Sequence, residues 1–136
     1  MKTALITGAS RGIGAAVARR LHADGYTVAL NYQRSRAEAE ALAADLQGIA
    51  LPADVSDPAQ ARALVEAVLQ PFGRLDALVC SAGVAWQGLT QDMGLEEYRR
   101  LMAVDLDGVF YCCQAALPPM LHRKEGRIVT LSSMWG

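Results

Sequence analysis

The sequence predicts an α/β fold in which helices cover both faces of a doubly wound parallel sheet. Short apolar segments alternate with segments of helical spacing along the whole chain, at residues 3–6, 26–30, 49–51, 75–80 and 128–131. These segments are apolar at nearly every position, as is typical of parallel strands buried on both faces. Right-handed crossovers between them give a three-layer, Rossmann-like architecture. No linker or repeat interrupts residues 1–136, so we predict one domain.

Spacing and capping residues predict the first three helices. Apolar residues share one face over residues 13–21, the first helical segment after the first strand. Ser35 with Glu38 forms a capping box, which predicts a second helix ending near residue 46. Asp57 can cap the third helix, and Pro58 suits its first position.

A long helix is predicted over residues 95–117, where Pro118-Pro119 would interrupt or end it. Asp105 shares a face of this helix with apolar residues, so we expect its carboxylate to point inward. A buried carboxylate needs a partner or an altered pKa. The alternative is a partly exposed acid near the edge of the helix.

Composition excludes several classes of protein. The 136 residues are 52% hydrophobic and 20% charged, which argues against disorder. Thirteen basic and fourteen acidic residues leave a net charge of −1, so nucleic acid is a poor candidate partner. No apolar run is long enough to span a bilayer, and we expect a cytoplasmic protein.

Cysteine and histidine placement indicates neither disulfides nor metal. The three cysteines, Cys80, Cys112 and Cys113, lie in apolar segments without CxxC spacing. We interpret them as small buried hydrophobic residues of a reducing compartment. His22 and His122 have no partners at ligand spacing, so no metal site is predicted.

A glycine-rich loop separates the first strand from the first helix. Gly8, Gly12 and Gly14 are spaced GxxxGxG, and Ser10, Arg11 and Ile13 complete the loop. Glycines at this turn let the backbone approach a pyrophosphate, and the N-terminus of the helix favours its charge. The position therefore predicts dinucleotide binding, with a merely tight turn as the alternative.

The end of the second strand favours NADP(H) over NAD(H). No acidic residue closes this strand to accept a ribose hydroxyl, since Glu38 is already inside the following helix. Arg34, beside Ser35, is available instead, together with Arg11 of the glycine loop. Two guanidiniums suit a 2′-phosphate. Solvated surface arginines are the alternative interpretation.

With these motifs assembled, the whole chain resembles the short-chain dehydrogenase/reductase family. Residues 7–14, TGASRGIG, match its cofactor loop, and Asp54-Val55 falls where the family places an acid against the adenine. Ser81-Ala82-Gly83 matches the last two positions of its NNAG motif, and Cys80 and Ser81 replace both asparagines. The resemblance implies a set of cofactor-binding residues in these motifs: Gly8, Ser10, Arg11, Gly12, Ile13, Gly14, Asp54, Val55, Ser81, Ala82 and Gly83.

The catalytic residues implied by the resemblance are Ser133 and Asp105. Arg127-Ile128-Val129 followed by Ser132-Ser133 matches the strand that delivers the family's serine, which binds the substrate carbonyl. Asp105 stands where the family has an asparagine that supports a water in a proton relay. The family's Tyr and Lys, four residues apart, are expected roughly a dozen residues after Ser133. No tyrosine of this sequence has that lysine.

We therefore expect residues 1–136 to be a C-terminally incomplete NAD(P)-binding domain, the first part of a longer enzyme that is a homo-oligomer at full length. This chain alone is expected to be inactive. The resemblance implies NADPH-dependent reduction of a ketone to a secondary alcohol. It is strongest to bacterial 3-oxoacyl-[acyl-carrier-protein] reductases of fatty acid biosynthesis.

Three further expectations concern partners and alternatives. Lys124, with Arg123 and Arg127 nearby, stands where a basic residue would dock acyl carrier protein, although cations also favour a helix C-terminus. The ending SSMWG resembles reductases of the 5-aminopentanone group on elongation factor P. A non-catalytic NADP-binding sensor is the alternative from another class.

Overall fold

The computed structural model describes residues 1–134. Within them, the strands are β1 (Thr3–Thr7), β2 (Thr27–Tyr32), β3 (Ile49–Pro52), β4 (Ala77–Cys80) and β5 (Arg127–Thr130). They form one parallel five-stranded sheet with the order β3-β2-β1-β4-β5. The strand order reverses direction at β1, so the carboxyl ends of β1 and β4 flank the crevice where open parallel sheets bind ligands. The predicted α/β class is confirmed.

Helices connect successive strands and cover the sheet. Before β4 they are α1 (Gly12–Ala23), α2 (Arg36–Asp45) and α3 (Pro58–Phe72). Between β4 and β5 lie a 3₁₀ turn (Thr90–Asp92), α4 (Leu95–Met102), a π-helical segment (Ala103–Asp107) and α5 (Gly108–Arg123).

The apolar strands supply two separate cores. Leu5 of β1 and Leu78 of β4 pack on the side of α3 and α5, whereas their neighbours Ile6 and Val79 pack on the side of α1 and α2. Leu5, Ile6 and Leu78 are 0% exposed. Because successive strand side chains point to opposite faces, a strand buried on both faces must be apolar throughout.

The two predicted helix caps have different outcomes. The carboxylate of Asp57 accepts a hydrogen bond from the Ala59 N–H at 3.0 Å, and Pro58 begins α3, as predicted. The capping box at Ser35 is wrong: the Ser35 side chain makes no cap hydrogen bond. Its backbone, at φ −88° and ψ 61°, departs from the extended conformation typical of a capping residue.

The prediction that Pro118-Pro119 would interrupt or end the long helix is wrong. α5 continues through both prolines to Arg123, and Lys124 then adopts a left-handed conformation (φ 59°). Ala116 and Met120 are buried on either side of the prolines and belong to the core shared with α3. This packing holds the helix together although each proline removes a backbone donor.

A buried ion pair closes the amino edge of the sheet, away from the carboxyl ends of the strands. Asp76 is 5% exposed and accepts hydrogen bonds from Arg74 at 2.6 and 2.7 Å and from the Thr3 N–H at 2.8 Å. The Arg74 guanidinium holds the pKa of Asp76 below its usual range, opposed by burial of the carboxylate. The pair therefore fixes the start of β1 against the start of β4.

Candidate functional site

A cleft of about 500 Å³ opens at the carboxyl edge of the sheet. It is lined by every residue predicted to bind the cofactor except Gly12: Gly8, Ser10, Arg11, Ile13, Gly14, Arg34, Ser35, Asp54, Val55, Ser81, Ala82 and Gly83. These residues come from four separate turns of the chain. The cleft therefore brings together the loops that follow β1, β2, β3 and β4.

Two glycines, Gly8 in the loop after β1 and Gly14 in the first turn of α1, are required by close packing. Gly8 has φ 59°, and a Cβ there would lie 2.7 Å from the Ala82 Cα. A Cβ on Gly14 would overlap the carbonyl oxygen of Gly8. At these two positions no side chain covers the backbone, which leaves the kind of surface that a pyrophosphate needs.

Thr7 holds the loop after β4 in place. Its Oγ1 accepts hydrogen bonds from the backbone N–H groups of Ser81 and Ala82, each at 3.0 Å. Thr7 is 2% exposed, so these bonds are shielded from water. This bracing exists although Cys80 and Ser81 replace the asparagines expected from the family motif.

Asn31, at the end of β2, lines the cleft and was missed by the sequence analysis. Its Oδ1 accepts from the Gly8 N–H at 3.2 Å, and its Nδ2 donates to backbone oxygens of Tyr32, Leu51 and Ala53 at 3.2–3.3 Å. The residue is 2% exposed. The available signal was a polar side chain inside an otherwise apolar strand, since such groups are buried only with partners.

The arginines near the cleft differ in their ion pairing. Arg36 pairs with Glu40 at 2.7 Å on the exposed face of α2, and this carboxylate raises the pKa of Arg36. Arg11 and Arg34 line the cleft, and within residues 1–134 neither forms an ion pair. Arg100 of α4 also lines it and was not predicted. The cleft thus carries cations available to an anionic ligand.

Asp54 lines the cleft and is held in place by local hydrogen bonds. Its Oδ1 accepts hydrogen bonds from the Ser56 N–H at 3.0 Å and the Ser56 hydroxyl at 2.6 Å. Its backbone N–H donates to the Gln60 Oε1 at 2.8 Å. The carboxylate therefore has a fixed orientation next to the buried side chain of Val55.

The expectation that Asp105 points inward is wrong. Asp105 is exposed, as is Leu106 at 56%, and Asp105 does not line the cleft. The π-helical segment has a wider turn than an α-helix, so residues 103–107 leave the face predicted from α-helical spacing. The Asp105 Oδ1 instead accepts the Val84 N–H at 2.8 Å, beside the loop after β4.

Ser133 lies beyond the end of β5 and is exposed. Neither Ser133 nor Asp105 belongs to the lining of the cleft, whose last residue along the chain is Leu131. The structure therefore assembles the predicted cofactor residues but not the two predicted catalytic residues. Trp135 and Gly136, part of the ending that resembles elongation factor P reductases, lie outside the described residues.

The cysteines belong to the core rather than to the cleft. Cys80 and Cys112 are 4% and 1% exposed, and Cys113 is half-buried. Burial raises the pKa of the Cys80 thiol and raises that of Cys112 to about 12. Across residues 1–134, no cluster of three metal-ligating side chains occurs, and no helix is long and apolar enough to cross a membrane.

The parallel sheet and the glycine cradle between β1 and α1 define an α/β protein of the Rossmann type. Within that class, the chain belongs to the short chain dehydrogenase family, whose sequence model matches residues 2–136.

Individual relatives agree with this assignment. The 3-oxoacyl-[acyl-carrier-protein] reductase FabG of Staphylococcus aureus is 40% identical over 140 residues, covering 99% of this chain and 57% of that protein. A short chain dehydrogenase from Burkholderia cenocepacia, solved with NADP, is 39% identical with a TM-score of 0.89. A blue fluorescent protein from a metagenomic library, solved with NADPH, is 37% identical with the same TM-score. Each structural match covers 98% of this chain and 56% of the other. The chain thus spans little more than half the length of these relatives.

Proposed function

We propose that this chain forms the cofactor half of an NADPH-dependent ketoreductase. One observation carries the proposal: the loops after β1, β2, β3 and β4 converge on a single cleft with a glycine cradle and unpaired arginines. Two structurally similar relatives are described as complexes with NADPH and NADP. A dinucleotide phosphate is the ligand whose charges and shape this cleft complements.

Each part of the cofactor has a matching group in the cleft. The cradle between Gly8 and Gly14 fits a pyrophosphate because its backbone is bare and the N-terminus of α1 is positive. Arg34 would bind the 2′-phosphate, with Arg11 adding charge. Asp54 and Val55 would contact the adenine, and the backbone of residues 81–83 would bind the remaining ribose. Ser10, Gly12, Ile13 and Ser35 complete the proposed cofactor residues.

The chemistry is hydride transfer, which the bound nicotinamide supplies. Ser133 would donate its hydroxyl proton in a hydrogen bond to the ketone oxygen. Asp105 would hold a water for proton delivery, in place of the family's asparagine. Neither residue belongs to the cleft lining, so this step requires Ser133 and Asp105 to act at the edge of the cleft. The family's tyrosine would be the general acid.

We propose a 3-oxoacyl group carried by acyl carrier protein as the substrate, in line with the name of the Staphylococcus aureus relative. Lys124 is exposed at the end of α5, and Arg123 and Arg127 beside it are exposed too. Three neighbouring cations form a surface that attracts an acidic carrier. On this proposal the carrier docks through Lys124 and presents its thioester to the cleft.

Turnover by the gene product as it occurs in the cell tests this function. With NADPH and acetoacetyl-acyl carrier protein, we expect oxidation of the reduced nicotinamide and formation of a 3-hydroxyacyl product. K124E should lower kcat/KM for the carrier-bound substrate and leave acetoacetyl-coenzyme A turnover unchanged, because only the carrier needs the basic surface. Equal loss with both substrates would refute docking through Lys124.

The other candidates give different results in the same assay. Turnover of the 5-aminopentanone group on elongation factor P, without turnover of acyl thioesters, would assign the alternative substrate. Tight NADPH binding without turnover of either ketone would favour a non-catalytic sensor. The residues that favour a sensor are Cys80, Ser81 and Asp105, which all depart from the family's asparagines.

A further inference from the structure

Asn31 connects two loops of the cleft that would contact neighbouring portions of a bound dinucleotide, its pyrophosphate and its adenine. Its side-chain oxygen accepts the Gly8 N–H at 3.2 Å, and its backbone oxygen accepts the Ala9 N–H at 2.9 Å. Both bonds hold the beginning of the glycine cradle. The same residue therefore fixes that loop twice, once through its side chain and once through its main chain.

The amide nitrogen of Asn31 makes hydrogen bonds on the other side of β2, to β3 and the residue that follows it. It donates to the Leu51 oxygen at 3.3 Å and to the Ala53 oxygen at 3.2 Å. Ala53 directly precedes Asp54, which lines the cleft. An amide is required here because one atom must accept and the other must donate. Because Asn31 is only 2% exposed, its amide cannot replace these hydrogen-bond partners with water.

We infer that Asn31 is a positioning residue. It sets the distance between the glycine cradle, which would bind the pyrophosphate, and the loop after β3, where Asp54 and Val55 would contact the adenine. This inference rests on the proposed function, since it presumes that a dinucleotide phosphate binds in the cleft. A ligand that contacts both loops at once loses affinity when either loop moves out of the geometry that the ligand binds. Asn31 thus contributes to cofactor affinity through its hydrogen bonds to Gly8 and Ala53 rather than through direct contact with the cofactor.

The test compares N31D with D76N in the full chain. N31D retains an acceptor for Gly8 but loses the donor to β3, whereas D76N disturbs an equally buried network at the amino edge of the sheet. At a temperature where both variants are folded by circular dichroism, N31D should raise the Kd for NADPH about tenfold. D76N should leave this Kd within about twofold of wild type although it lowers the Tm.

A fragment of the cofactor separates positioning from general destabilisation. Adenosine 2′,5′-bisphosphate contacts both loops, so N31D should weaken it by the same factor as NADPH. Nicotinamide mononucleotide lacks the adenine, and its weak binding should not change. If N31D does not fold, N31S supplies a milder loss of the same bridge. Unfolding of both variants would make Asn31 a determinant of the fold and reject the positioning role.

The outcomes distinguish this inference from the proposed function. Unchanged NADPH affinity in folded N31D or N31S, with tight binding by wild type, would overturn the role of Asn31 alone. An absence of NADPH binding by wild type would overturn both. An equal loss of affinity in D76N would also reject positioning, because the effect would then follow stability.

Discussion

The carboxylate of Asp105 accepts the backbone N–H of Val84 at 2.8 Å, which ties the π-helical segment between α4 and α5 to the loop after β4. The two residues are 21 positions apart in sequence. A Cβ on Gly83, the residue before Val84, would lie 3.3 Å from the same carboxylate oxygen. Asp105 therefore anchors the loop after β4, which lines the cleft, although Asp105 itself lies outside the lining.

Replacing Asp105 separates this anchoring from its charge. D105N keeps an oxygen that can accept the Val84 N–H, so its free energy of unfolding should remain close to that of wild type. D105A removes the acceptor and should cost about 1 kcal/mol. Amide exchange measured by NMR should be faster at Val84 in D105A only. Equal exchange in both variants would contradict the anchoring role.

Thr7 offers a matched pair of substitutions at the base of the cleft. T7V has nearly the same shape but leaves the Ser81 and Ala82 N–H groups without their acceptor, so we expect a loss of about 1–3 kcal/mol in unfolding free energy. T7S keeps the hydroxyl and should lose less. Urea unfolding of the two variants measures the difference, and a more stable T7V would contradict it.

The ion pair at the amino edge predicts a pH dependence. Because Arg74 lowers the pKa of Asp76 in the folded chain, the stabilising contribution of the Asp76 carboxylate is complete above its unfolded pKa of about 4. The contribution is lost as pH falls through the lower folded pKa. D76N should cost about 2 kcal/mol at neutral pH.

Urea unfolding between pH 2 and 7, roughly the range in which carboxylates titrate, checks this dependence. Below pH of about 4, the unfolding free energy of wild type should fall more steeply with decreasing pH than that of D76N. Parallel curves for the two proteins would contradict the link between Arg74 and Asp76.

The cysteines predict an order of chemical modification. Burial protects Cys80 and Cys112 and raises their pKa values, so the reactive thiolate forms rarely. Iodoacetamide should therefore label the half-buried Cys113 first in the native protein, and all three cysteines at similar rates in urea. Peptide mass spectrometry identifies the sites. Native labelling of Cys80 at the rate of Cys113 would contradict this core packing.

The sequence was sufficient for the fold because its signals are local and repeated. Strands buried on both faces must be apolar throughout, as Leu5 and Ile6 are, and α3 has both Asp57 and Pro58 at its start. The end of α5 was not predictable in this way. Its continuation through Pro118 depends on Ala116 and Met120 packing in a core formed with distant residues.

The residues that line the cleft were largely predictable, whereas contacts that depend on the assembled fold were not. The glycine loop was predictable from the sequence because the positions of Gly8 and Gly14 admit no side chain and so require glycine. The orientation of Asp105 depends on a π-helical turn that α-helical spacing does not anticipate. The bridge made by Asn31 depends on β2 lying between β1 and β3, a relationship that only the assembled sheet reveals.

Calorimetric titration of the chain with NADPH and with NADH tests the central claim most directly, using R34A and R36A as matched variants. We predict one NADPH per chain, bound more tightly than NADH. R34A should weaken NADPH by roughly tenfold to a hundredfold and leave NADH nearly unchanged, because a charge-assisted bond to the 2′-phosphate is lost. R36A should bind both as wild type does, since Arg36 pairs with Glu40. Failure of wild type to bind NADPH, or equal binding of both cofactors that R34A does not alter, would contradict the account.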